Sequence, residues 1–348
     1  MFRFLNWNDW PRGLGYICQN KKNDKMKAII ITKYGSPKVL QLQDVPKPTP
    51  KENEILIKVK AANVTTADTM MRKGNPWYGR LFIGLTKPKY PIAGTGFSGT
   101  IEAVGGSVQR FQVGDEVFGE SVFGAGANAE YLCVSEDGLV GVKPKNVAHE
   151  VLACVCDGPL TSWNYLKEMA NVKSGQRVLI NGASGSLGSA AVQLANYLGA
   201  EVTAVCSSSN FDMVRSLGAD HAIDYTKVDF TKTANRYDVI FDTVGKSSFP
   251  ACKEILNKNG TYLSPVLSMP LLVQMLWTSK FGSKKAKFMA TGLLAVPKLR
   301  TMLHELTKLL IAGKLKLVID KRYSLHEVSI AHSYVDTGRK KGNVVINL

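Results

Sequence analysis

The six cysteines of this 348-residue chain, at positions 18, 133, 154, 156, 206 and 252, contain no C-x-x-C pair and no frame that would staple a small domain. Their scatter excludes a disulfide scaffold and fits reduced thiols in a cytoplasmic compartment. Long apolar runs are missing too. No stretch of about 18 uninterrupted apolar residues exists, which argues against a helical membrane span. The nearest approach, YLSPVLSMPLLVQMLW at 262–277, is broken by two prolines and a glutamine and reads as a strand end followed by a pocket-lining or interface segment. Acidic residues are the third shortage, 28 against 44 Lys and Arg, leaving a formal charge of +16. Such an excess ordinarily points to nucleic acid or an anionic surface. Here the cations are dispersed, with short clusters such as Lys284-Lys285 and Arg339-Lys340-Lys341, and aromatics do not interleave with them as a base-stacking platform requires. A solvated basic surface that also favours anionic cofactors is preferred over nucleic-acid binding.

What is present is ordinary globular usage, 45% hydrophobic and 21% charged residues, in a chain long enough for two domains. Residues 1–25 stand apart: aromatics crowd the first ten positions, polar and basic residues come after them, and the apolar core of a secretory signal is absent. A regular pattern starts at Met26, so that either translation begins there or 1–25 is a short extension with a local packing role, a targeting peptide being the weaker alternative. Between Met26 and about Glu150 the signals are short β-rich runs, EILIKVKAANV, FSGTIEAVG, GDEVFGE and AEYLCV, separated by Gly and Pro. From Val151 helices and strands alternate, through SWNYLKEMA, RVLIN, EVTAVC, FDMVRSLGA, HAIDY, YDVIFDTV and GTYLSPV. That succession implies right-handed βαβ crossovers and a parallel sheet. After about Pro297 a helix, LRTMLHELTKLLIAGKL, leads to KLVIDKRYSL and a last strand, NVVINL.

Within the alternating half, VLINGASGSLGSAAVQLA at 178–195 reads as buried strand, glycine turn and helix. Leu187, Ala190, Ala191, Leu194 and Leu198 recur at helical spacing, which starts the helix near Ser186. Gly185 lets the backbone approach a pyrophosphate, Gly188 permits tight helix-to-strand packing, and the helix N-terminal amides face the anion. The form is A-x-G-x-x-G, with Ala183 in place of the usual first glycine; strand before and helix after favour dinucleotide binding over a plain tight turn.

The next strand, EVTAVC, decides which dinucleotide. An NAD-selective site wants a carboxylate at the strand's C-terminal edge. Glu201 has a suitable sequence offset but begins the strand, which at ~3.3 Å per residue leaves it over ~10 Å from that edge. The edge itself is Cys206-Ser207-Ser208-Ser209-Asn210, small neutral donors that accept a 2′-phosphate, so NADPH is favoured and NADH is the weaker donor.

From Met26 to Leu348 the chain resembles the zinc-free quinone oxidoreductase branch, zeta-crystallin-like reductases included, of the medium-chain dehydrogenase/reductase superfamily. The stretches that carry the resemblance are AANVTTADTMMRKG, PIAGTGFSGTIEAVGGSVQRFQVGDEVFG, DGPLTSWNYL, VLINGASGSLGSAAVQLA, VRSLGADHAIDY and YDVIFDTVGK. The resemblance implies an α/β protein in which a Rossmann doubly wound parallel sheet domain, 151–296, is inserted into a GroES-like β-rich domain, 26–150 and 297–348, and it implies a homodimer. It also shows what is missing. Zinc alcohol dehydrogenases of the superfamily have cysteine where Thr65 stands, Gly-His-Glu where Gly94-Thr95-Gly96 stands, and cysteine where Asp157 stands. A catalytic zinc needs about three protein ligands, and Thr65, Thr95 and Asp157 offer one good one. No metal is expected, and alcohol oxidation is disfavoured.

The chemistry left is hydride addition to an acceptor that is already electrophilic, a quinone or an α,β-unsaturated carbonyl, helped by hydrogen bonds to its oxygen. Matching positions give Thr65, Asp68 and Arg72 as catalytic candidates, although the family commonly has asparagine at Thr65 and Asp68 equally suits a loop cap. The same carry-over gives Thr161, Ser184, Gly185, Ser186, Leu187, Ser207, Asn210, Tyr225, Val244 and Ser264 as cofactor-binding candidates, Tyr225 beside the adenosine phosphate and Thr161 near the nicotinamide. Trp77, Tyr78, Phe123 and Trp163 are either pocket lining or plain core, and Cys154 and Cys156 are read as buried filler. Two alternatives stay open: a 2-enoyl thioester reductase, whose acidic acyl carrier the basic surface suits, and a non-enzymatic, NADPH-bound RNA-binding or crystallin-like protein.

Overall fold

The computed structural model describes residues 24–121 and 126–348; most of the 1–25 extension and Phe123 lie outside the described residues. β1 (Lys25–Ile31) pairs antiparallel with β2 (Leu40–Pro46), Met26 standing opposite Val45. β3 (Glu54–Val64) is the spine of the first domain. It buries Ile55, Ile57 and Val59 while Lys58 and Lys60 point to solvent, the period-2 pattern of a sheet with one wet face. Helix α1 (Thr66–Lys73) leaves its end, and β4 (Gly96–Val104), β5 (Glu116–Glu120), β6 (Tyr131–Ser135) and β7 (Leu139–Val142) come next. Ile57 and Val59 share one core with Phe97, Ile101 and Val117 of the neighbouring strands.

The second domain opens with helix α2 (Gly158–Trp163), extended by a π-helical turn over Asn164–Met169. β8 (Arg177–Asn181), helix α3 (Ser186–Tyr197), β9 (Glu201–Cys206), β10 (His221–Asp224), β11 (Tyr237–Asp242) and β12 (Leu256–Leu263) succeed one another. Helix α4 (Met269–Lys280) then leads to β13 (Lys285–Lys287). The sheet is parallel, in the order β10-β9-β8-β11-β12-β13. Val178, Leu179 and Ile180 have no exposed surface, as strands covered on both faces require. Strand order reverses between β8 and β11, so the crevice for a ligand opens beyond Asn181 and Asp242.

Helix α5 (Val296–Ile311) packs Leu299, Met302, Leu303 and Leu306 into the cluster that holds Trp163, Ala190 and Ala191. The return to the first domain is therefore made beyond it, by β14 (Ile319–Ser324), helix α6 (Val328–Asp336) and β15 (Asn343–Asn347). β15 pairs antiparallel with β3 and β14 parallel with β15, so the tail closes the seven-stranded sheet and the architecture is a parallel-sheet domain inserted into a GroES-like one.

The stretch 262–277 begins as the strand end read from the sequence and continues as a helix. β12 stops at Leu263 and the chain then turns into a helix: Ser268 caps α4 by accepting from the Leu271 amide at 3.3 Å, with Pro270 in the first turn. A proline there loses no intrahelical bond, so it marks a start and not a break. Among the described residues no helix is long and apolar enough to cross a membrane.

Candidate functional site

The glycine turn is held by short-range constraints. The Gly182 and Ala183 amides both donate to the Val205 carbonyl, at 3.0 and 3.1 Å, and α3 starts at Ser186 with Gly185 as its cap residue. Gly182 sits at φ +77, and a Cβ there would lie 2.1 Å from Val244 Cγ2; one on Gly188 would lie 2.1 Å from the Gly182 carbonyl oxygen. Neither position admits a side chain. A Cβ on Gly185 would meet only the Gly182 carbonyl, at 3.6 Å. Gly185 thus borders open space, and the Ser186 and Leu187 amides, first in the helix, have no intrahelical acceptor. A glycine-bordered cradle at the positive end of a helix is what a pyrophosphate needs, so a nicotinamide dinucleotide fits these residues.

The other cofactor candidates fall around the crevice in three groups. At the end of β9, Asn210 donates to Ser207 Oγ at 3.0 Å, and the Tyr225 amide reaches the Cys206 carbonyl at 3.4 Å with its ring exposed. Val244 is exposed beyond β11 and Ser264 is buried beyond β12. Thr161 lies on α2, whose Gly158 backs directly onto Ser186: a Cβ there would come 2.6 Å from the Ser186 carbonyl. Glu201 pairs with His221 at 3.0 Å at the opposite, N-terminal end of the sheet, away from the crevice.

On the catalytic-domain side, Thr65 and Asp68 form a closed capping box. The Thr65 amide and hydroxyl both donate to Asp68 Oδ2, at 2.8 Å each, and the Asp68 amide donates to Thr65 Oγ1 at 2.9 Å. Asp68 Oδ1 is buried without a partner. Burial, with the like charge of Asp157 adding to it and bonds from Thr65 and Thr95 opposing, pushes the Asp68 carboxyl up to about 6. Arg72 requires a correction. Its side chain has no exposed surface, Nη2 lies 2.5 Å from Asp336 Oδ2 and Nη1 donates to the Gly35 carbonyl at 3.0 Å, so it ties α1 to α6 and is not available to a substrate. Trp163 is core, its Nε1 donating to Glu305 Oε2 at 2.7 Å; Trp77 is exposed, and Tyr78 donates to the Leu267 carbonyl. Burial pushes the Cys154 and Cys156 thiols up and leaves them protonated filler.

Sequence reading missed three groups. Glu120, the last residue of β5, stands opposite Gly96, and the next amide, Ser121, donates to the Thr95 carbonyl. Burial and then the like charges of Asp157 and Asp68 push its carboxyl up to about 8, against a hydrogen bond from Thr95. Lys340, held by the Gly342 carbonyl at 2.9 Å, is pulled down by burial while Asp157 opposes the shift. Asp242 anchors the crevice floor, accepting from Asn181 Nδ2, the Gly245 and Ser247 amides and the Tyr262 hydroxyl. Only for Glu120 was there a sequence signal, its place at the end of GDEVFGE.

The two sides meet at Ser186. Its hydroxyl reaches Asn343 Oδ1 at 2.6 Å and Asp157 Oδ2 at 3.1 Å, while the Gly342 amide donates to the Ser184 carbonyl at 2.8 Å. Asp157 is thereby the charge shared by the glycine turn, Asp68, Glu120 and Lys340. Among the described residues no group of three or more His, Cys, Asp or Glu is arranged to hold a metal ion. A second constellation, Ser98 Oγ 2.7 Å from His149 Nδ1 and His149 Nε2 2.9 Å from Glu116, has the outline of a hydrolase triad. Ser98 is fully buried and donates to the Val117 carbonyl, so it has no access to a substrate.

Residues 51–145 match the alcohol dehydrogenase GroES-like domain and residues 217–346 the zinc-binding dehydrogenase family. The chain is 32% identical to a 2-methylene-furan-3-one reductase of Solanum lycopersicum, over 93% of this chain and 79% of that one. It is 28% identical to a trans-enoyl reductase of Aspergillus terreus, over 85% of this chain and 86% of that one. A quinone oxidoreductase from Coxiella burnetii superposes with a TM-score of 0.83 at 29% identity, covering 93% of this chain and 100% of its own. The chain belongs to the zinc-free quinone oxidoreductase branch of the medium-chain dehydrogenase/reductase superfamily, and it is an oxidoreductase.

Proposed function

We propose that this member of the branch reduces quinones and α,β-unsaturated carbonyls at the expense of NADPH. The observation that carries the reading is the Ser186 contact with Asp157 and Asn343, which joins the dinucleotide turn to a cluster of hydroxyls and carboxyls able to handle a proton. Reduced nicotinamide supplies one hydride. The chain's own residues do the rest. Gly185 and the Ser186 and Leu187 amides hold the pyrophosphate, Ser207, Asn210 and Tyr225 border the adenosine, and Thr161, Val244 and Ser264 border the nicotinamide half. NADPH is preferred because the β9 edge carries neutral hydroxyl and amide donors, a preference kept modest by Asp224, whose carboxylate at the end of the neighbouring strand accepts from the Thr226 amide and hydroxyl.

At the acceptor, hydride arriving on carbon leaves negative charge on oxygen. Thr65 and Asp68 shape this end of the pocket, but the Thr65 hydroxyl already donates to Asp68. Glu120, raised to about 8, is the carboxyl that keeps a proton at neutral pH, and it delivers that proton to the acceptor oxygen. The test is a screen of soluble quinones, enones and saturated alcohols followed by loss of NADPH absorbance. Turnover of the first two classes is expected; turnover of saturated alcohols alone would overturn the reading.

A second reading, 2-enoyl thioester reduction, needs the same hydride step. It is supported by the likeness to the trans-enoyl reductase and by a charge of +16 that suits an acidic carrier. Activity on carrier-bound enoyl thioesters well above that on free enones would favour it. A cytoplasmic setting stays part of the proposal, supported by the unpaired state of Cys133, Cys154, Cys156, Cys206 and Cys252.

A further inference from the structure

We propose that the cavity behind Asp68 is the proton inlet of the site: water held there by His332 re-protonates Asp68, and the Thr95 hydroxyl hands the proton on to Glu120. The proposal rests on the reading of Glu120 as the proton donor. A carboxyl that gives its proton to one acceptor must regain one before the next arrives.

The cavity, of about 40 Å³, lies in the first domain between α1, α6 and the segment 83–95. Tyr90, 43% exposed, stands at its mouth with half-buried Ile83 and Pro88, while Asp68, Thr95 and His332 are buried at its inner end. Two of these inner groups lack partners. Asp68 Oδ2 is taken up by the Thr65 amide and hydroxyl, whereas Oδ1 is buried without a bond. His332 has no exposed surface, and neither of its ring nitrogens is bonded. Buried polar atoms of this kind are ordinarily satisfied, and water in an adjoining cavity is what satisfies them. At ~15 Å³ for each molecule, the cavity takes two or three. Its other walls, Ile31 and Met71 among them, are apolar and offer a proton no other stop.

Beyond Asp68 the route is a single hydroxyl. Thr95 bears on the Asp68 and Glu120 carboxyls alike, which puts one rotatable O–H between them. Titration order gives the flow its direction. Burial pushes His332 down to about 3, with Arg72 and Lys73 of α1 adding to the shift and Asp336 opposing it. Its ring therefore stays neutral, with one nitrogen to donate and one to accept. Asp68, raised to about 6 by burial and the charge of Asp157, is mostly ionised at neutral pH and passes a proton on. Glu120, raised to about 8 by burial and the charges of Asp157 and Asp68, keeps it. Each cycle then balances. Glu120 gives its proton to the acceptor oxygen, Thr95 gives its own to Glu120 as it takes one from Asp68, and Asp68 draws one from the water chain. The hydride comes from the nicotinamide and the proton from solvent.

The protein with NADPH bound is mixed rapidly with excess soluble quinone and NADPH, and the NADPH absorbance is followed through the first and later turnovers. His332→Leu and Thr95→Val should each complete the first turnover at about the parental rate, because Glu120 starts protonated. Later turnovers should then slow about tenfold and carry a solvent deuterium isotope effect of about two or more. Glu120→Gln should be slow from the first. Both new side chains are close in bulk to the old ones, and thermal unfolding by circular dichroism checks each fold. Later turnovers at the parental rate in either His332→Leu or Thr95→Val, with Glu120→Gln slow, would overturn the inlet and leave the donor standing. A Glu120→Gln protein with a normal first turnover would remove the donor, and the inlet with it.

Discussion

Replacing Glu120 by Gln should make the protein more stable and less active at once. The carboxyl titrates near 4.5 in the unfolded chain and at about 8 in the folded one. Because the folded value is the higher, the stability this group contributes is full below the unfolded value and is lost as pH rises through about 8. At pH 7 the unfolded chain has released a proton that the native chain retains. Over the ~2.5 pH units between 4.5 and 7, at ~1.4 kcal/mol each, that disfavours folding by roughly 3 kcal/mol, with a ceiling near 5 above pH 8. Gln removes the ionisation and keeps an acceptor for Thr95, at the risk of one poorly matched amide donor. A net gain of about 1–3 kcal/mol at pH 7 is expected, widening toward pH 9. Urea unfolding of both proteins from pH 6 to 9 measures it. Over the same series, turnover with a soluble quinone should fall by about 10²–10⁴, and the alkaline decline expected of the unaltered protein should vanish. A Glu120→Gln protein with normal turnover and the normal alkaline limb, or one less stable than the parent at pH 9, would refute the reasoning.

The glycines of the turn should separate by role. Gly188→Ala, whose new Cβ meets backbone at 2.1 Å, should destabilise the fold by about 2 kcal/mol or more in thermal unfolding, whereas Gly185→Val should fold normally and lose NADPH binding by fluorescence titration. Catalytic efficiency should be several-fold higher with NADPH than with NADH, and Ser207→Asp should invert the order by repelling the 2′-phosphate; equal efficiencies in the parent would reject the assignment of the β9 edge. Metal analysis should find no stoichiometric zinc in active protein and chelators should leave turnover intact, given the ligand set at Thr65, Thr95 and Asp157; one tightly held zinc per chain would contradict this.

The parallel sheet was legible because each of its parts is local. RVLI followed by a glycine turn, and a helix whose apolar residues recur from Leu187, need only the periods of strand and helix and the steric demand at Gly188, and the structure has them where the pattern puts them. At 262–277 the strand end was legible, while the helix after it was not named because Pro270, in the first turn of α4, entered the reading only as an interruption of the apolar run. Arg72 was misassigned because a motif match carries position and not direction: its guanidinium turns to Asp336, 264 residues away, a partner that no local pattern announces. Lys340 gave no signal, and Glu120 only its place at the end of GDEVFGE, for a related reason. A carboxyl at the end of a strand and a lysine in a basic tail read as solvated surface, and only the return of the tail along β3, with Gly342 bonded to Ser184, turns them toward Asp157.

The convergence on Asp157 couples the stored proton to the cofactor. Three carboxyls, buried Asp68 and half-buried Glu120 and Asp157, act on one another, with Lys340 the cation acting on Asp157. Such a set cannot ionise fully, so one member stores a proton, and Glu120, the most perturbed, is the one that does so at neutral pH. A pyrophosphate seated on Gly185 adds negative charge beside Ser186 and Asp157 and competes for Lys340. Both effects favour the neutral form of Glu120 and raise its titration further. The alkaline limb of kcat/KM for NADPH, which reports the free protein, should therefore lie below that of kcat, which reports the complex. The two limbs come from one set of initial rates with NADPH varied at saturating quinone from pH 6 to 10. Limbs that coincide, or a kcat limb at the lower pH, would mean that Glu120 does not sense the turn and that the proton comes from elsewhere.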